Sequence, residues 1–303
     1  MNLMCPARIL LLPGDVQEAA VGERIAQVYA ATFDAAAGSR LAEQLGVQLT
    51  VLPDLVRRPD AELQSIADLH RGETVVVLGL DLGLKLPAIV EHTGDGWTRV
   101  PTENERTLAT YEQAAEKFRA SIPTEANHDL ITLLADAVPP GARVLELGSG
   151  TGRDANELER RGFAVRRTDA TDAFLQMMRA DGHTADPLNA LTDDFGGPYA
   201  AVFADAVFLH FDRSQLTTVL RKAVHAAPVL AFSTKAGSGE EWSNRYLDLP
   251  RHFVLWQEDP LRDLLTETGW TVRKFIRSEP PGDNAPRLPD RAAGWFQVLA
   301  TRS

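Results

Sequence analysis

Short apolar runs, separated by polar turns and stretches of helical period, pattern the chain from end to end. In the first hundred residues Ile9–Leu12, Val47–Leu52 and Thr74–Leu80 alternate with helical-looking stretches, Val16–Thr32 and Ala61–Leu69. That alternation predicts a small α/β unit over residues 1–100. A polar lead, Pro101–Arg106, opens a helix over Thr107–Ala120, on which Tyr111, Ala114, Ala115 and Phe118 share a face. Residues 101–125 read as a linker and lead-in helix, and Pro123 ends the pattern. A helix over Ala126–Ala137 follows, and Pro139-Pro140-Gly141 delivers the chain into the apolar run Arg143–Leu147.

Residues 126–303 then alternate strand and helix. Predicted strands are Arg143–Leu147, Ala164–Thr168, Thr184–Asp186, Ala200–Ala204 and Val229–Ser233. Predicted helices are Arg153–Arg161, ended by Gly162 as a left-handed cap, Ala173–Ala180 with Asp172 as N-cap, and Arg213–Ala226. Two last runs, Thr271–Arg277 and Trp295–Thr301, flank a Pro/Gly/Asp-rich loop, Pro280–Pro289, with no crossover helix between them. They should pair as an antiparallel hairpin. The fold class is α/β, a mainly parallel sheet closed by that hairpin and preceded by a smaller α/β domain.

The chemistry concentrates in Val144-Leu-Glu-Leu-Gly-Ser-Gly-Thr-Gly-Arg-Asp154. Gly148, Gly150 and Gly152 stand between a strand and a helix, where backbone must turn tightly or approach a ligand. The helix N-terminus beyond them favours an anionic group. A dinucleotide fingerprint needs glycine at position 153, which is arginine, and the Gly-Lys-Ser/Thr of a phosphate loop is missing. Glu146, two residues before the first glycine, would repel a diphosphate and attract an ammonium. A ligand with an amino-acid end fits better than a dinucleotide.

This segment resembles the first motif of the class I S-adenosylmethionine-dependent methyltransferases, and the resemblance runs from about Thr107 to Ser303. It implies a Rossmann-like seven-stranded sheet ending in an antiparallel hairpin, with S-adenosylmethionine as cofactor. It further implies that Glu146, Gly148, Ser149, Gly150 and Gly152 receive the methionine end, with Tyr111 of the lead-in helix nearby. Asp169, at the end of the next strand, matches the carboxylate that accepts both ribose hydroxyls, as two oxygens can do. Asp186 corresponds to the acidic residue near the adenine, although Asp before Pro is also ordinary turn chemistry. Asp205 ends the fourth strand and should lie near the sulfonium.

On the acceptor side, His210 is apt as a base, with a packed structural histidine as its alternative. His252 is the second catalytic candidate. Ser233–Trp242 and Pro250–Trp256 resemble segments of bacterial stand-alone methyltransferases and supply the substrate-pocket candidates Lys235, Trp242, Arg251 and Trp256. Core packing is the alternative for both tryptophans. The fourth strand lacks the Asn/Asp-Pro-Pro-aromatic motif of amide and base methylases, which weakens DNA bases and glutamine side chains as acceptors.

The N-terminal words Arg8–Gly14, Val28–Phe33, Leu45–Val47 and Leu69–Val77 look like a shortened histidine phosphatase domain. The residues of that chemistry are missing: Pro13 stands at the phosphate-accepting histidine and Ala35 at a phosphate-binding arginine. Gly79-Leu80-Asp81 replaces the segment carrying the second histidine. Such a domain would be structural, covering a crevice or supporting a homodimer. An unrelated small α/β domain is the competing reading.

Composition narrows the partners. A net charge of −11, with Arg57-Arg58, Arg160-Arg161 and Arg166-Arg167 scattered among carboxylates, argues against nucleic acid. No apolar stretch is long enough for a bilayer, and one cysteine with no Cys/His cluster predicts neither a disulfide nor a metal site. The expectation is a cytoplasmic, metal-free enzyme that methylates a small molecule. Rivals are a non-catalytic S-adenosylmethionine-binding module and a nicotinamide oxidoreductase.

Overall fold

The computed structural model describes residues 6–14, 24–84, 86–93, 96–278 and 294–303. The chain divides into two compact units, Met1–Thr102 and Glu103–Ser303. The lead-in helix therefore belongs to the second unit.

In the first unit the order is β1 (Arg8–Leu12), β2 (Ile25–Ala31), α1 (Ala35–Leu45), β3 (Gln48–Leu52), α2 (Pro59–Leu69), β4 (Thr74–Leu78), β5 (Ala88–Thr93) and β6 (Gly96–Val100). The described strands form one sheet in the order β3-β2-β4-β1-β5-β6, parallel from β3 to β1 and closed by the antiparallel pair β5–β6. Helix α1 packs Leu41 and Ala42 on one face, and α2 packs Leu63, Ile66 and Ala67 on the other. The helix expected over Val16–Thr32 is corrected: Ile25–Ala31 is a central strand, and residues 15–23 lie outside the described residues. Val28 to Ala31 are buried consecutively because both sheet faces are covered. A short, continuously apolar run does not distinguish such a strand from a helix.

The second unit runs α3 (Glu103–Ser121), α4 (His128–Ala135), β7 (Arg143–Glu146), α5 (Arg153–Arg160), β8 (Ala164–Asp169), α6 (Asp172–Ala180), β9 (Ala185–Pro187), β10 (Ala201–Ala204), α7 (Arg213–Ala226), β11 (Val229–Lys235), β12 (Gly239–Ser243), β13 (Arg251–Leu255), α8 (Glu258–Glu267), β14 (Trp270–Ser278) and β15 (Trp295–Arg302). Its main sheet has the order β14-β15-β11-β10-β7-β8-β9. Strands β7 to β11 are parallel, and β14–β15 is the antiparallel hairpin. Gly162, with φ of +90°, closes α5 through its N–H to Glu159 O. The expected N-cap Asp172 is instead the first residue of α6, after Thr171, where its carboxylate still faces the positive helix end.

Strand order reverses between β7 and β10. The chain moves outward through β8 and β9 on one side and through β11 on the other, which opens a crevice at the carboxyl ends of β7 and β10. A second hairpin, β12–β13, was not expected; it occupies the segment read as a pocket insertion. No helix among the described residues is long and apolar enough to cross a membrane.

Candidate active site

The crevice holds a cleft of about 900 Å³, its open mouth included, walled by α3, the β7–α5 turn, the start of α6 and the ends of β8, β9 and β10. Gly148, Gly150 and Gly152 all have positive φ, at +63°, +55° and +79°. A Cβ on Gly148 would come within 2.6 Å of Val207 Cγ2, so glycine is required there by space as well as by conformation. Gly148, Ser149 and Gly150 line the cleft, whereas Gly152 lies behind the turn, against Arg167 and Met178. Buried Arg167 fastens the turn, bonding Gly152 O at 3.3 Å, Asn156 Oδ1 at 2.8 Å and Glu159.

Glu146 is not where the sequence reading put it. It is 2% exposed, accepts a hydrogen bond from Ser149 Oγ, and lies beneath the turn outside the cleft lining. Burial pushes its carboxyl up to about 8, and the neighbouring Asp154 adds to this. The carboxylates that do face the cleft near the turn are Asp154 and Asp205. Asp154 accepts from the Asn127 backbone N–H at 2.7 Å; burial, then the charge of Asp205, lift it to about 6. Asp205 accepts from Asn127 Nδ2 (2.8 Å), Arg153 Nη2 (2.9 Å) and Ser233 Oγ (2.6 Å). After it, Ala206 is held at φ +57°, strained backbone on the cleft wall.

Asp169 ends β8 and lines the cleft. Its Oδ2 accepts from Gly150 N–H at 2.9 Å and its Oδ1 from Thr171 N–H at 2.8 Å. Each oxygen keeps a lone pair for a further donor, which suits a vicinal diol. Burial raises its carboxyl, and those two amides oppose the rise. Asp186 is elsewhere: its carboxylate pairs with Arg166 at 2.8 Å, and Leu188, Asn189 and Ala190 form the cleft wall after β9 instead. Alternation along a three-residue strand points Asp186 away, a matter of register that a motif position does not carry.

At the far end stand Tyr111 and His210. His210 Nδ1 lies 2.6 Å from the His252 carbonyl oxygen, which can only accept, so Nδ1 carries the proton and Nε2 accepts from Tyr111 Oη at 3.0 Å. Burial drives His210 down to about 3. The ring is thus a neutral acceptor that orients Tyr111. Its imidazole is expected to show no titration between pH 5 and 8 by NMR; a midpoint near 6.5 would contradict this arrangement.

The other acceptor-side candidates do not line the cleft. The His252 ring is buried outside the cleft lining, with Nε2 3.1 Å from Glu240 and its face near Trp242. Trp242 is half-exposed under Arg106, and Trp256 is buried in the core. Lys235 pairs with Glu241 at 3.4 Å, and Arg251 stands behind Tyr111. In this region the hairpin β12–β13 faces α3, and the two are tied by Thr110 Oγ1 to Pro250 O (2.6 Å) and His252 N–H to Thr107 Oγ1 (2.9 Å). Sequence reasoning missed Asn127 and Asp154, and read Arg153 only as a missing glycine. Their signal was weak: an N-cap Asn, and an Arg-Asp pair opening the helix after the turn.

A methyltransferase domain profile matches residues 116–274, more than half of the chain and across most of the elements that build the cleft. The chain belongs to this methyltransferase family. Solved structures agree in fold. Magnesium protoporphyrin IX methyltransferase of Synechocystis PCC 6803, with bound S-adenosylmethionine, is 14% identical over 67% of the methyltransferase and 99% of its own chain, with a TM-score of 0.51. The CcbJ methyltransferase of Streptomyces caelestis is 15% identical over 65% and 99%, with a TM-score of 0.50. A Rhodobacter sphaeroides protein described as a candidate Zn-dependent alcohol dehydrogenase scores 0.51 at 13% identity over 67% and 100%. At such identities the likeness shows the fold alone, so the family match decides. No curated protein sequence matches the methyltransferase.

The cofactor of this methyltransferase is S-adenosylmethionine, and the cleft fits it. Asp154, Asp169 and Asp205 face the cleft against one guanidinium, Arg153, which suits a ligand carrying an ammonium and a sulfonium.

Proposed function

We propose that the protein transfers a methyl group to a small-molecule acceptor, with each end of the cleft given one task. The observation that carries this is the excess of cleft carboxylates beside a glycine turn, at the point where strand order reverses. Asp154 and Asp205 would hold the ammonium of the methionine end, and Arg153 its carboxylate. Asp169 would accept the ribose hydroxyls, and Leu188–Ala190 with Phe174 would cover the adenine. When bound, S-adenosylmethionine supplies a methyl group activated by a positive sulfur. Tyr111 and His210 would position the acceptor in line with it and exclude water, which is the larger part of such a reaction. A narrow, partly apolar cleft favours a small molecule over a polymer.

His210→Ala is expected to lower transfer more than it lowers affinity for S-adenosylhomocysteine, because the ring lies at the acceptor end. His252→Ala should leave transfer nearly intact, since only backbone atoms of His252 reach inward. Product formation and calorimetry on each variant separate the two; equal losses of binding and turnover in His210→Ala would remove the acceptor role. The rival non-catalytic reading is tested by S-adenosylhomocysteine release in the presence of a metabolite extract.

For the N-terminal unit we propose a structural role without phosphatase activity, in a localisation expected to be cytoplasmic. Pro13 has no nucleophile to form a phosphohistidine, and Ala35 cannot clamp phosphate. The crevice at the ends of β1 and β4 is taken by the Asp34 carboxylate, which lies where Cβ atoms on Gly14 and Gly79 would fall, 2.1 and 1.8 Å from their ideal positions. A carboxylate there repels phosphate. The full-length protein should leave p-nitrophenyl phosphate unhydrolysed; hydrolysis abolished by mutating His70 or His92 would overturn this.

A further inference from the structure

We infer that the methyl acceptor is a neutral molecule carrying an amide edge, a carbonyl beside an N–H, which pairs with the Asn104 side chain at the acceptor end of the cleft. The inference rests on the methyl-transfer reading above and names the acceptor class for the same cleft.

Asn104 is the second residue of α3 and lines the cleft at 7% exposure. Buried side-chain amides are as a rule hydrogen-bonded. Among the described residues neither Oδ1 nor Nδ2 of Asn104 has a partner, and neither atom is sealed off from the cleft that the residue lines. One turn on, Thr107 is 1% exposed; its Oγ1 accepts from His252 N–H at 2.9 Å, and its own proton has no acceptor among the described residues. Asn104, Thr107, Leu108 and Tyr111 follow at helical spacing on one face of α3, and all four line the cleft. Tyr111 and His210 offer no further donor there: the tyrosine proton is given to His210 Nε2, and its oxygen accepts from Arg251. The unfilled hydrogen-bonding capacity of this wall is therefore that of Asn104 and Thr107.

The path of α3 puts these groups at the acceptor end. Its C-terminal half packs on the cofactor side, where Glu112 accepts from Ala173 N–H at the start of α6 and the ring of Phe118 meets Phe174. Its N-terminal half is tied to the hairpin β12–β13 through Thr107 and Thr110. Asn104 lies about 10 Å along the helix from Tyr111, away from Asp169 and the glycine turn. Charge selects the partner. Arg153, at that turn, is the one guanidinium or ammonium in the described cleft lining, and the cleft carboxylates also lie in the cofactor half. A charged group at Asn104 would lose its hydration without a counter-charge. A neutral amide edge is matched on both sides: Asn104 Nδ2 donates to its carbonyl, and its N–H donates to Asn104 Oδ1. Thr107 supplies one further donor, and Leu108 and Phe211 supply apolar walls for the body of the molecule. The amide is thus a handle, and the atom that takes the methyl group lies at the other end, beside Tyr111.

The test is calorimetry on the full-length protein saturated with S-adenosylhomocysteine, using three probes of one shape: benzamide, acetophenone and benzoate. Benzamide is expected to bind about fivefold or more tightly than either of the others, the scale of one buried hydrogen bond left unmade. Acetophenone keeps the carbonyl but lacks the N–H, and benzoate carries a charge. Asn104→Leu, close in size and apolar, should bring benzamide and acetophenone within about twofold of each other, with S-adenosylhomocysteine affinity little changed. Thermal melts exclude a folding defect, and Asn104→Ala, well suited to a helix, keeps the test valid if leucine is not tolerated. No preference for benzamide in the wild type, no binding by any of the probes, or a preference that survives in both variants overturns the inference. Failure of the wild type to bind S-adenosylhomocysteine would instead bring down the methyl-transfer reading.

Discussion

Replacing Asp169 with alanine is expected to weaken S-adenosylhomocysteine binding by about 1.5–3 kcal/mol, the usual scale of hydrogen bonds to a charged group. In affinity this is roughly ten- to a hundredfold. Two losses combine. On the proposed reading the ribose hydroxyls lose their shared acceptor, and the N–H groups of Gly150 and Thr171, now bonded to Asp169, lose the group that fixes the turn. Asp169→Asn separates them: an amide oxygen still serves one backbone donor, but its NH₂ faces the other. The asparagine variant should therefore fall between wild type and alanine. Calorimetry showing unchanged affinity in a folded Asp169→Ala protein would take Asp169 out of the site.

Glu146→Gln is expected to stabilise the ligand-free protein by about 1–3 kcal/mol at pH 8.5 and to change it little at pH 5. The sign follows from burial. In the folded protein the Glu146 carboxyl is pushed up to about 8, whereas in the unfolded chain it ionises near its ordinary 4.5. Between those values the folded state holds a proton that the unfolded state has lost. Stability from this group is therefore full below the unfolded value and declines as pH rises toward 8. Glutamine is neutral at every pH, nearly isosteric, and can still accept from Ser149 Oγ. Urea midpoints measured from pH 5 to 8.5 should converge at the acid end and separate at the alkaline end. Parallel curves would mean that Glu146 is already compensated in the folded state.

Strand by strand, much of the second unit was readable because its signals are local. The run Val144–Leu147 before three glycines, Gly162 closing α5, and two apolar runs joined by a Pro/Gly/Asp-rich loop with no crossover helix each encode a short-range geometry. The same locality explains the errors. Ile25–Ala31 was read as helix because a strand covered on both faces loses its alternation. The hairpin β12–β13 was missed because Gly239-Glu-Glu-Trp-Ser243 has no apolar alternating face; only Glu241 and Ser243 are partly covered, and its partner Arg251–Leu255 is buried throughout.

What the sequence by itself determined was the glycine turn, the carboxylate of Asp169 at the end of β8, and the strand end carrying Asp205, since each is set by position relative to one strand. Only the tertiary structure decided which side chains face the cleft. Pairing of Thr168 with Asp186 turned one expected contact toward Arg166, and burial beneath the turn withdrew Glu146. Asn127 and Asp154, 27 residues apart, reach one another across the fold, and Tyr111 meets His210 from 99 residues away. The physical reason is range: turn conformation and strand termini depend on neighbours in sequence, whereas the direction, charge state and partners of a buried side chain depend on what packs against it.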